Sequence, residues 1–209
     1  MKFYDCATAP SPRRVRIFLA EKSIEIPIVQ VNLASGEQFG DAFRSINPDC
    51  TVPVLELDDG RHLSEVFAIC QYLELVYPDP PLMGRDAAET ATVTMWNSKL
   101  EWQLLAPLAD AFRNRARGLK DRALPGPEPY EQIPQLAERG SKRALSFLGK
   151  LDTHLAKVEY LAGKRFSIAD ITAVVAVDFA AWSKTPVSDE LIHLNRWYQQ
   201  VSARKSMGA

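Results

Sequence analysis

The pattern of apolar and polar positions divides the chain into two parts. From residue 1 to residue 77, short runs of β-type residues alternate with helical patterns, and after residue 86 helical periodicity continues almost to the end. The segment between them, Tyr-Pro-Asp-Pro-Pro-Leu-Met-Gly-Arg, contains prolines and a glycine that cannot continue a helix. We therefore expect two domains, residues 1–78 and 87–209, joined by a linker at 79–86.

The first part predicts the order β-α-β-α-β-β-α, with strands near residues 2–6, 26–31, 52–57 and 61–63 and helices near 13–22, 39–45 and 65–77. Strands joined by a helix are expected to be parallel, whereas the last two strands flank the turn Asp58-Asp59-Gly60 and form an antiparallel hairpin. In the first helix the apolar stripe is narrow, so its arginines are expected to face outward. These elements predict a small mixed sheet with helices on both faces, which is the thioredoxin-like arrangement.

The second part predicts an all-helical domain, with helices near residues 86–117, 130–158, 168–182 and 191–201. Pro107 lies inside the first of these patterns and is expected to disturb the helix. Ser167 and Asp170 have the spacing of a capping box, in which the acid of the first turn reaches back to the cap residue. The helix that follows is apolar on every side, so we expect it to be central and buried.

Composition narrows the functional classes. The formal net charge is −1 over 209 residues, so no overall basic field favours nucleic acid or an anionic membrane surface. No apolar run approaches the roughly 20 residues that span a bilayer, and the chain begins without the apolar stretch of a signal peptide. The cysteines have no metal-ligand or redox-pair spacing and the histidines lie far apart, so we expect no metal site and a reduced cytoplasmic protein. Cys50 is the thiol most expected to be exposed, whereas Cys6 and Cys70 are expected to be buried.

Four stretches, in this order and spacing, resemble the cytosolic glutathione S-transferase family over essentially the whole chain. They are residues 4–22 ending in Arg-Val-Arg-Ile-Phe-Leu-Ala-Glu-Lys, Asn47-Pro48-Asp49-Cys50-Thr51-Val52-Pro53-Val54-Leu55, residues 63–73 with the sequence Leu-Ser-Glu-Val-Phe-Ala-Ile-Cys-Gln-Tyr-Leu, and Ser167-Ile168-Ala169-Asp170-Ile171. The resemblance implies a homodimeric detoxification enzyme with glutathione as co-substrate. It also implies an N-terminal domain that binds glutathione and a C-terminal helical bundle that carries the electrophile cleft.

The resemblance also assigns glutathione-binding residues. It implies that the Val52–Pro53 bond is cis and that the backbone of Val52 pairs with the cysteinyl unit. The helix that begins at Glu65-Val66 would hold the γ-glutamyl carboxylate on its free N–H groups, and Glu65 would accept the ammonium group or simply favour the helix dipole. Val66 replaces the usual serine, so binding is expected to be weaker by about 0.5–1.5 kcal/mol. Gln38 lies near the position that reaches the glycyl end, with a solvated loop as the alternative.

The catalytic position departs from the family pattern. When the family is aligned on residues 14–17, Arg-Val-Arg-Ile, Ala9 replaces the serine of several classes. Ser11 then falls where the bacterial beta class has its cysteine. Three alternatives remain for the glutathione thiolate: a hydrogen bond from Ser11; stabilisation by a backbone N–H, a water or Arg13; or no conjugation chemistry at all. Ser11 could instead be a helix-capping serine.

In the helical part, the residues expected to line the electrophile cleft are Trp96, Trp102 and Phe112. Arg113 belongs to a basic run that either forms a solvated helix end or lines the cleft, where it would bind an acidic co-substrate or the carboxylates of glutathione. The first functional hypothesis is therefore a transferase that conjugates glutathione to small electrophiles or reduces peroxides with it. The second is a non-catalytic glutathione-binding or scaffolding protein. An isomerase of the zeta type is disfavoured, because its Ser-Ser-Cys loop is missing.

Overall fold

The computed structural model describes all residues from Met1 to Ala209. Two compact units divide the chain. Unit 1 contains Met1–Pro80, to which Pro125–Glu128 and Gly208–Ala209 are added, and unit 2 contains Pro81–Leu124 and Pro129–Met207.

Unit 1 contains a four-stranded mixed sheet. Strands β1 (Lys2–Asp5), β2 (Ile28–Gln30), β3 (Val54–Glu56) and β4 (His62–Ser64) lie in the order β2-β1-β3-β4. Strand β1 is parallel to β2 and antiparallel to β3, and β3 is antiparallel to β4. The helices of unit 1 are α1 (Pro10–Glu21), α2 (Asp41–Arg44) and α3 (Val66–Val76), and a 3₁₀ turn spans Glu37–Phe39. This topology confirms the thioredoxin-like prediction.

Helix α1 corrects one expectation, because its arginines do not all face outward. Arg14 is only 4% exposed, and its Nη2 donates to the hydroxyl of Ser11 at 3.3 Å. Arg16 forms an ion pair with the buried carboxylate of Asp5, with 2.6 Å between Nη1 and Oδ1. Charged side chains of the first helix are therefore used inside the unit, where they bind polar groups at its start.

The C-terminal end of α3 is fixed by a buried lysine. The side chain of Lys22 is fully buried, and its Nζ lies 2.8 Å from the carboxylate of Glu74. The same ammonium group donates to the carbonyl oxygens of Tyr77 and Pro80 at 2.7 and 2.8 Å. Because the ammonium group has a carboxylate counterion and two carbonyl acceptors, this buried charge is compensated and holds the segment that leaves α3.

Unit 2 contains the helices α4 (Ala87–Leu100), α5 (Ala106–Arg113), α6 (Pro134–Leu155), α7 (Ile168–Trp182) and α8 (Ile192–Ser202). The expected all-helical domain is confirmed. The single long helix expected over 86–117 is instead α4 and α5, separated by a π-helical turn at Glu101–Leu105. Pro107 explains the interruption, because it has no N–H for the carbonyl group one turn earlier, and π turns absorb such mismatches. No helix of the molecule is both long enough and apolar enough to cross a membrane.

Helix α7 forms the centre of unit 2, as predicted. Every residue from Ile168 to Ala176 is buried. The predicted capping box is present at its start, where the carboxylate of Asp170 accepts from the backbone N–H of Ser167 at 3.1 Å. The same carboxylate accepts from the backbone N–H of Leu161 and from Nε1 of Trp197, at 3.0 and 2.9 Å. One acid therefore ties α7 to α8 and to the loop before it.

Candidate functional site

Three segments that resemble glutathione-binding segments meet at one edge of the sheet in unit 1. Val54 in the central strand pairs with Tyr4 on one side and with Ser64 on the other. Neighbouring strands lie about 4.8 Å apart, so the three residues span roughly 10 Å. Tyr4 lies just before the loop between β1 and α1, Val54 directly follows Val52–Pro53, and Ser64 lies just before the start of α3. Strand register therefore brings these three segments together.

The Val52–Pro53 segment offers unpaired backbone groups. The Val52–Pro53 peptide bond is cis, and neither the N–H nor the C=O of Val52 forms a hydrogen bond within the chain. The preceding turn is held by the buried side chain of Asn47, whose Nδ2 donates to the carbonyl oxygen of Thr51 at 2.9 Å. A donor and an acceptor on a fixed backbone are suited to pair with the backbone of an extended peptide.

The start of α3 is a second set of unpaired donors. The first-turn N–H groups of Val66, Phe67 and Ala68 have no partner within the chain, and the side chain of Glu65 does not cap them. Glu65 itself has φ +69°, a conformation that non-glycine residues rarely adopt and that recurs at ligand sites. Free N–H groups at the positive end of a helix bind a carboxylate well, and the exposed carboxylate of Glu65 beside them suits an ammonium group.

Gln38 is not part of a solvated loop. It lies in the 3₁₀ turn and is only 2% exposed, and its Oε1 atom is buried without a hydrogen-bond partner. Buried polar atoms in folded proteins are nearly always paired, so an unpaired acceptor requires an explanation. Because protein atoms cover Oε1, a donor from a bound ligand reaches it only after the side chain moves.

The loop between β1 and α1 is fixed by a network centred on Asp5. The carboxylate of Asp5 accepts from Nη1 of Arg16 and from Nε2 of Gln30, both at 2.6 Å. Arg16 in turn donates to the carbonyl oxygen of Ala7 at 3.0 Å, and Oε1 of Gln30 accepts from the backbone N–H of Ala7 at 2.9 Å. Both polar groups of the Ala7 backbone are therefore held by side chains that Asp5 orients.

Ser11 supplies both free donors at the start of α1. Ala9 is the cap residue and has no side-chain hydrogen bond, so the alternative that Ser11 caps the helix is wrong. Pro10 and Pro12 have no N–H, and the N–H of Arg13 donates to the carbonyl oxygen of Ala9 at 3.3 Å. The backbone N–H of Ser11 is the one unpaired amide of this turn. Its hydroxyl accepts from Arg14, which leaves the hydroxyl proton available.

The three thiols are all buried. Cys6 and Cys70 agree with expectation, whereas the expected exposure of Cys50 is wrong, because it is only 4% exposed. Cys50 lies in a tight turn with φ +53°, and its Sγ donates to the carbonyl oxygen of Pro48 at 3.5 Å. The turn therefore directs the side chain inward, and the thiol is buried.

The aromatic candidates of the helical part do not form one cluster. Phe112 contacts Phe179 with ring centroids 5.4 Å apart, and Phe179 contacts the half-exposed Trp182 at 6.2 Å. Trp96 instead stacks on His154 at 4.1 Å, and Trp102 is 70% exposed. Phe179 and Trp182 lie three residues apart on α7, and this spacing is the sequence signal that places both rings on one side of the helix.

Arg113 is tied into the fold of unit 2. Its guanidinium group donates to the carbonyl oxygens of Arg122, Ala123 and Leu124, at distances between 2.7 and 3.3 Å. Burial lowers the pKa of the guanidinium group. The side chain therefore holds the loop after α5, and Arg113 is not part of a solvated helix end.

Comparison with known proteins adds an independent line of support. Family models described as the N-terminal and C-terminal domains of glutathione S-transferase match residues 8–76 and 118–205. Glutathione S-transferase 2 of Saccharomyces cerevisiae is 37% identical over 99% of this chain and 88% of its own length. The chain belongs to the glutathione S-transferase family. Its transferase function follows from these relatives.

Two further proteins are similar to this chain over most of its length. The crystal structure of a glutathione S-transferase domain-containing protein from Marinobacter aquaeolei is 38% identical, covers 99% of this chain and all of its own, and superposes with a TM-score of 0.92. Maleylacetoacetate isomerase of Mus musculus is 28% identical over 88% of this chain and 80% of its own length. No group of three or more histidine, cysteine, aspartate or glutamate side chains is arranged to hold a metal ion.

Proposed function

We propose that unit 1 binds glutathione at the sheet edge formed by Val52, Glu65 and the loop before α1. The γ-glutamyl carboxylate binds the free N–H groups that begin with Val66, and the ammonium group pairs with Glu65. The backbone of Val52 pairs with the cysteinyl unit next to Pro53, and Gln38 accepts a donor near the glycyl end. The observation that carries this proposal is the convergence of three segments with unpaired backbone donors and acceptors on one edge of the sheet.

We propose that Ser11 stabilises the glutathione thiolate. A free thiol has a pKa near 8.5, and a helix N-terminus or a hydrogen-bond donor lowers it. Ser11 offers a backbone N–H and a hydroxyl at such a terminus, and Arg13 adds positive charge two residues later. The thiol proton leaves to water, the sulfur lone pair forms a bond to the electrophilic atom, and the leaving group departs with the electrons of the broken bond. Peroxide reduction would begin from the same thiolate.

The helical domain, which we assign to residues 87–209 after a linker at 79–86, is proposed to supply the electrophile cleft. Phe112 is the best supported of its candidates, because it belongs to an aromatic cluster with a half-exposed tryptophan. Trp96, Trp102 and Arg113 remain in the proposal, although folding also explains the contacts of Trp96 and Arg113 and Trp102 is 70% exposed. The chain is further proposed to act in the cytoplasm as a homodimer in the detoxification of small hydrophobic electrophiles.

Turnover of 1-chloro-2,4-dinitrobenzene by Ser11→Ala tests the role of Ser11. We expect kcat/KM to fall about tenfold or more, which corresponds to roughly 1.4 kcal/mol of lost transition-state stabilisation. The pKa of bound glutathione, measured by ultraviolet absorbance of the thiolate, should rise with little change in glutathione affinity. Ser98→Ala, at an exposed serine of α4, is the matched control. Unchanged turnover in Ser11→Ala would transfer the role to the backbone N–H of Ser11.

Calorimetric titration with glutathione tests the binding site separately. Glu65→Ala should weaken glutathione binding about tenfold, because it removes the charge partner of the ammonium group. Glu25→Ala, at an exposed acid of the same unit, serves as the control. Binding by the unaltered protein without any thiolate absorbance near neutral pH would favour the non-catalytic binding protein. Equal affinity in Glu65→Ala and the unaltered protein would contradict the proposed site.

A further inference from the structure

One face of α6 in unit 2 borders a groove of about 530 Å³. It is lined from α6 by Gln135, Arg139, Lys142, Arg143 and Lys150, and from the π-helical turn by Gln103. A volume of this size lies within the range of small-molecule sites. None of these residues belongs to the proposed glutathione site.

The charges that line the groove are strongly unbalanced. Four lining side chains are cations and one, Glu138, is an acid, whereas the chain as a whole has a net charge of −1. Arg139, Lys142 and Lys150 form no ion pair or hydrogen bond with the rest of the chain. A concave surface focuses the field of uncompensated charges, so this groove attracts anions.

One of the four cations is held in place. Nη2 of Arg143 donates to the carbonyl oxygen of Trp102 in the π-helical turn at 2.9 Å, a contact that orients the guanidinium group at the groove. The buried ring of Phe147 contributes an apolar surface and Ser146 a hydroxyl group. The groove therefore combines a positioned guanidinium group, three cations without a partner in the chain, neutral hydrogen-bonding groups and an apolar contact.

We propose that this groove is a binding site for a small organic polyanion that carries two or more carboxylate or phosphate groups. Arg139 and Arg143 are four residues apart on α6, which places the bases of their side chains about 6 Å apart. Lys150 lies eleven residues after Arg139, or about 16 Å along the helix axis. A ligand with one acid group would leave most of this charge uncompensated, whereas a compact polyanion pairs with Arg139, Lys142 and Arg143 at once.

Calorimetric titration with citrate and with inorganic tripolyphosphate tests the proposal at about 0.15 M salt, where unspecific surface attraction is screened. The variant is Arg139→Gln/Lys142→Gln, which removes two unpaired cations and leaves Arg143 in place. The matched control is Arg117→Gln/Lys120→Gln, which removes the same charge from exposed positions outside the groove. Glutathione affinity is measured for all three proteins and should not change.

We expect saturable binding of at least one probe, with an affinity about tenfold lower in the groove variant and within about twofold of normal in the control. Preference for citrate would identify a polycarboxylate as the ligand class, and preference for tripolyphosphate would identify a phosphorylated compound. Absence of saturable binding of both probes would overturn the proposal. Equal losses in the two variants would also overturn it, because overall charge would then explain the binding.

Discussion

At the scale of single residues, Asp170 combines full burial with four hydrogen bonds to its carboxyl group. It is fully buried, and its carboxylate accepts hydrogen bonds from Leu161, Trp197 and both donors of Ser167. Burial raises the pKa of the carboxyl group to about 6, although these hydrogen bonds offset part of the desolvation. The folded state therefore holds the proton more tightly than the unfolded chain, where the pKa is 3.8.

This difference in pKa predicts how stability depends on pH. Because the pKa is raised by folding, the contribution of Asp170 is fully present below the pKa of the unfolded chain and is lost as the pH rises through about 6. The loss is on the order of 3 kcal/mol. Urea unfolding of the protein and of Asp170→Asn between pH about 4 and about 7 measures it. The free energy of unfolding should fall less steeply with pH in the variant, and identical slopes would contradict the prediction.

Side-chain interactions that depend on neighbouring residues in the sequence could be predicted. Side-chain burial that depends on tertiary contacts could not. The capping box of Ser167 and Asp170 follows from spacing alone. The burial of Gln38, Cys50 and Arg14 does not, because a polar side chain becomes buried only when other segments cover it. The same limit applies to the partners of Asp5, which come from α1 and β2.

At the scale of elements, two glycines of α6 have different roles that the sequence does not distinguish. A Cβ atom at Gly140 would lie 2.4 Å from the carbonyl oxygen of Pro107 and 3.0 Å from the backbone nitrogen of Ala111. A Cβ atom at Gly149 would have no neighbour within 4 Å. Gly140 therefore permits the close approach of α5 and α6, whereas Gly149 makes no such contact.

These two positions give opposite predictions for one substitution. Gly140→Ala should destabilise unit 2 by roughly 1–3 kcal/mol, because the added methyl group meets backbone atoms that cannot move independently. Gly149→Ala should stabilise the protein by about 0.5–1 kcal/mol, because alanine is the better helix former. Thermal unfolding followed by circular dichroism measures both changes. A shift of the two midpoints in the same direction would contradict the assigned helix contact.

Element boundaries could be predicted less well than element types. Helix α1 begins at Pro10, not near residue 13 as expected, because prolines without N–H groups are tolerated in the first turn of a helix. Helix α6 begins at Pro134, not near residue 130, because the N–H of Ile133 donates to the side chain of Asn114 before the helix starts. The π-helical turn could not be located, since Pro107 predicts only a disturbance nearby.

At the scale of the whole molecule, the two-part pattern of the sequence was sufficient to predict both the thioredoxin-like unit and the helical unit. The glutathione site could be proposed from the sequence, because its segments resemble those of the glutathione S-transferase family. The electrophile site could not be defined to the same degree. Its aromatic residues come from helices far apart in the chain, and their contacts depend on helix packing that periodicity does not specify.

The exposed end of α3 allows a test of the proposed homodimer. Leu75, Val76 and Tyr77 are 79%, 46% and 37% exposed, and association would bury this apolar surface. Leu75→Glu should convert a dimer to monomers in sedimentation velocity, because burial of leucine is worth about 2 kcal/mol and a buried carboxylate costs more. Ile192→Glu, at a residue of α8 that is 70% exposed, should leave the dimer intact. A monomeric unaltered protein would exclude the homodimer, and dissociation by Ile192→Glu alone would move the interface to α8.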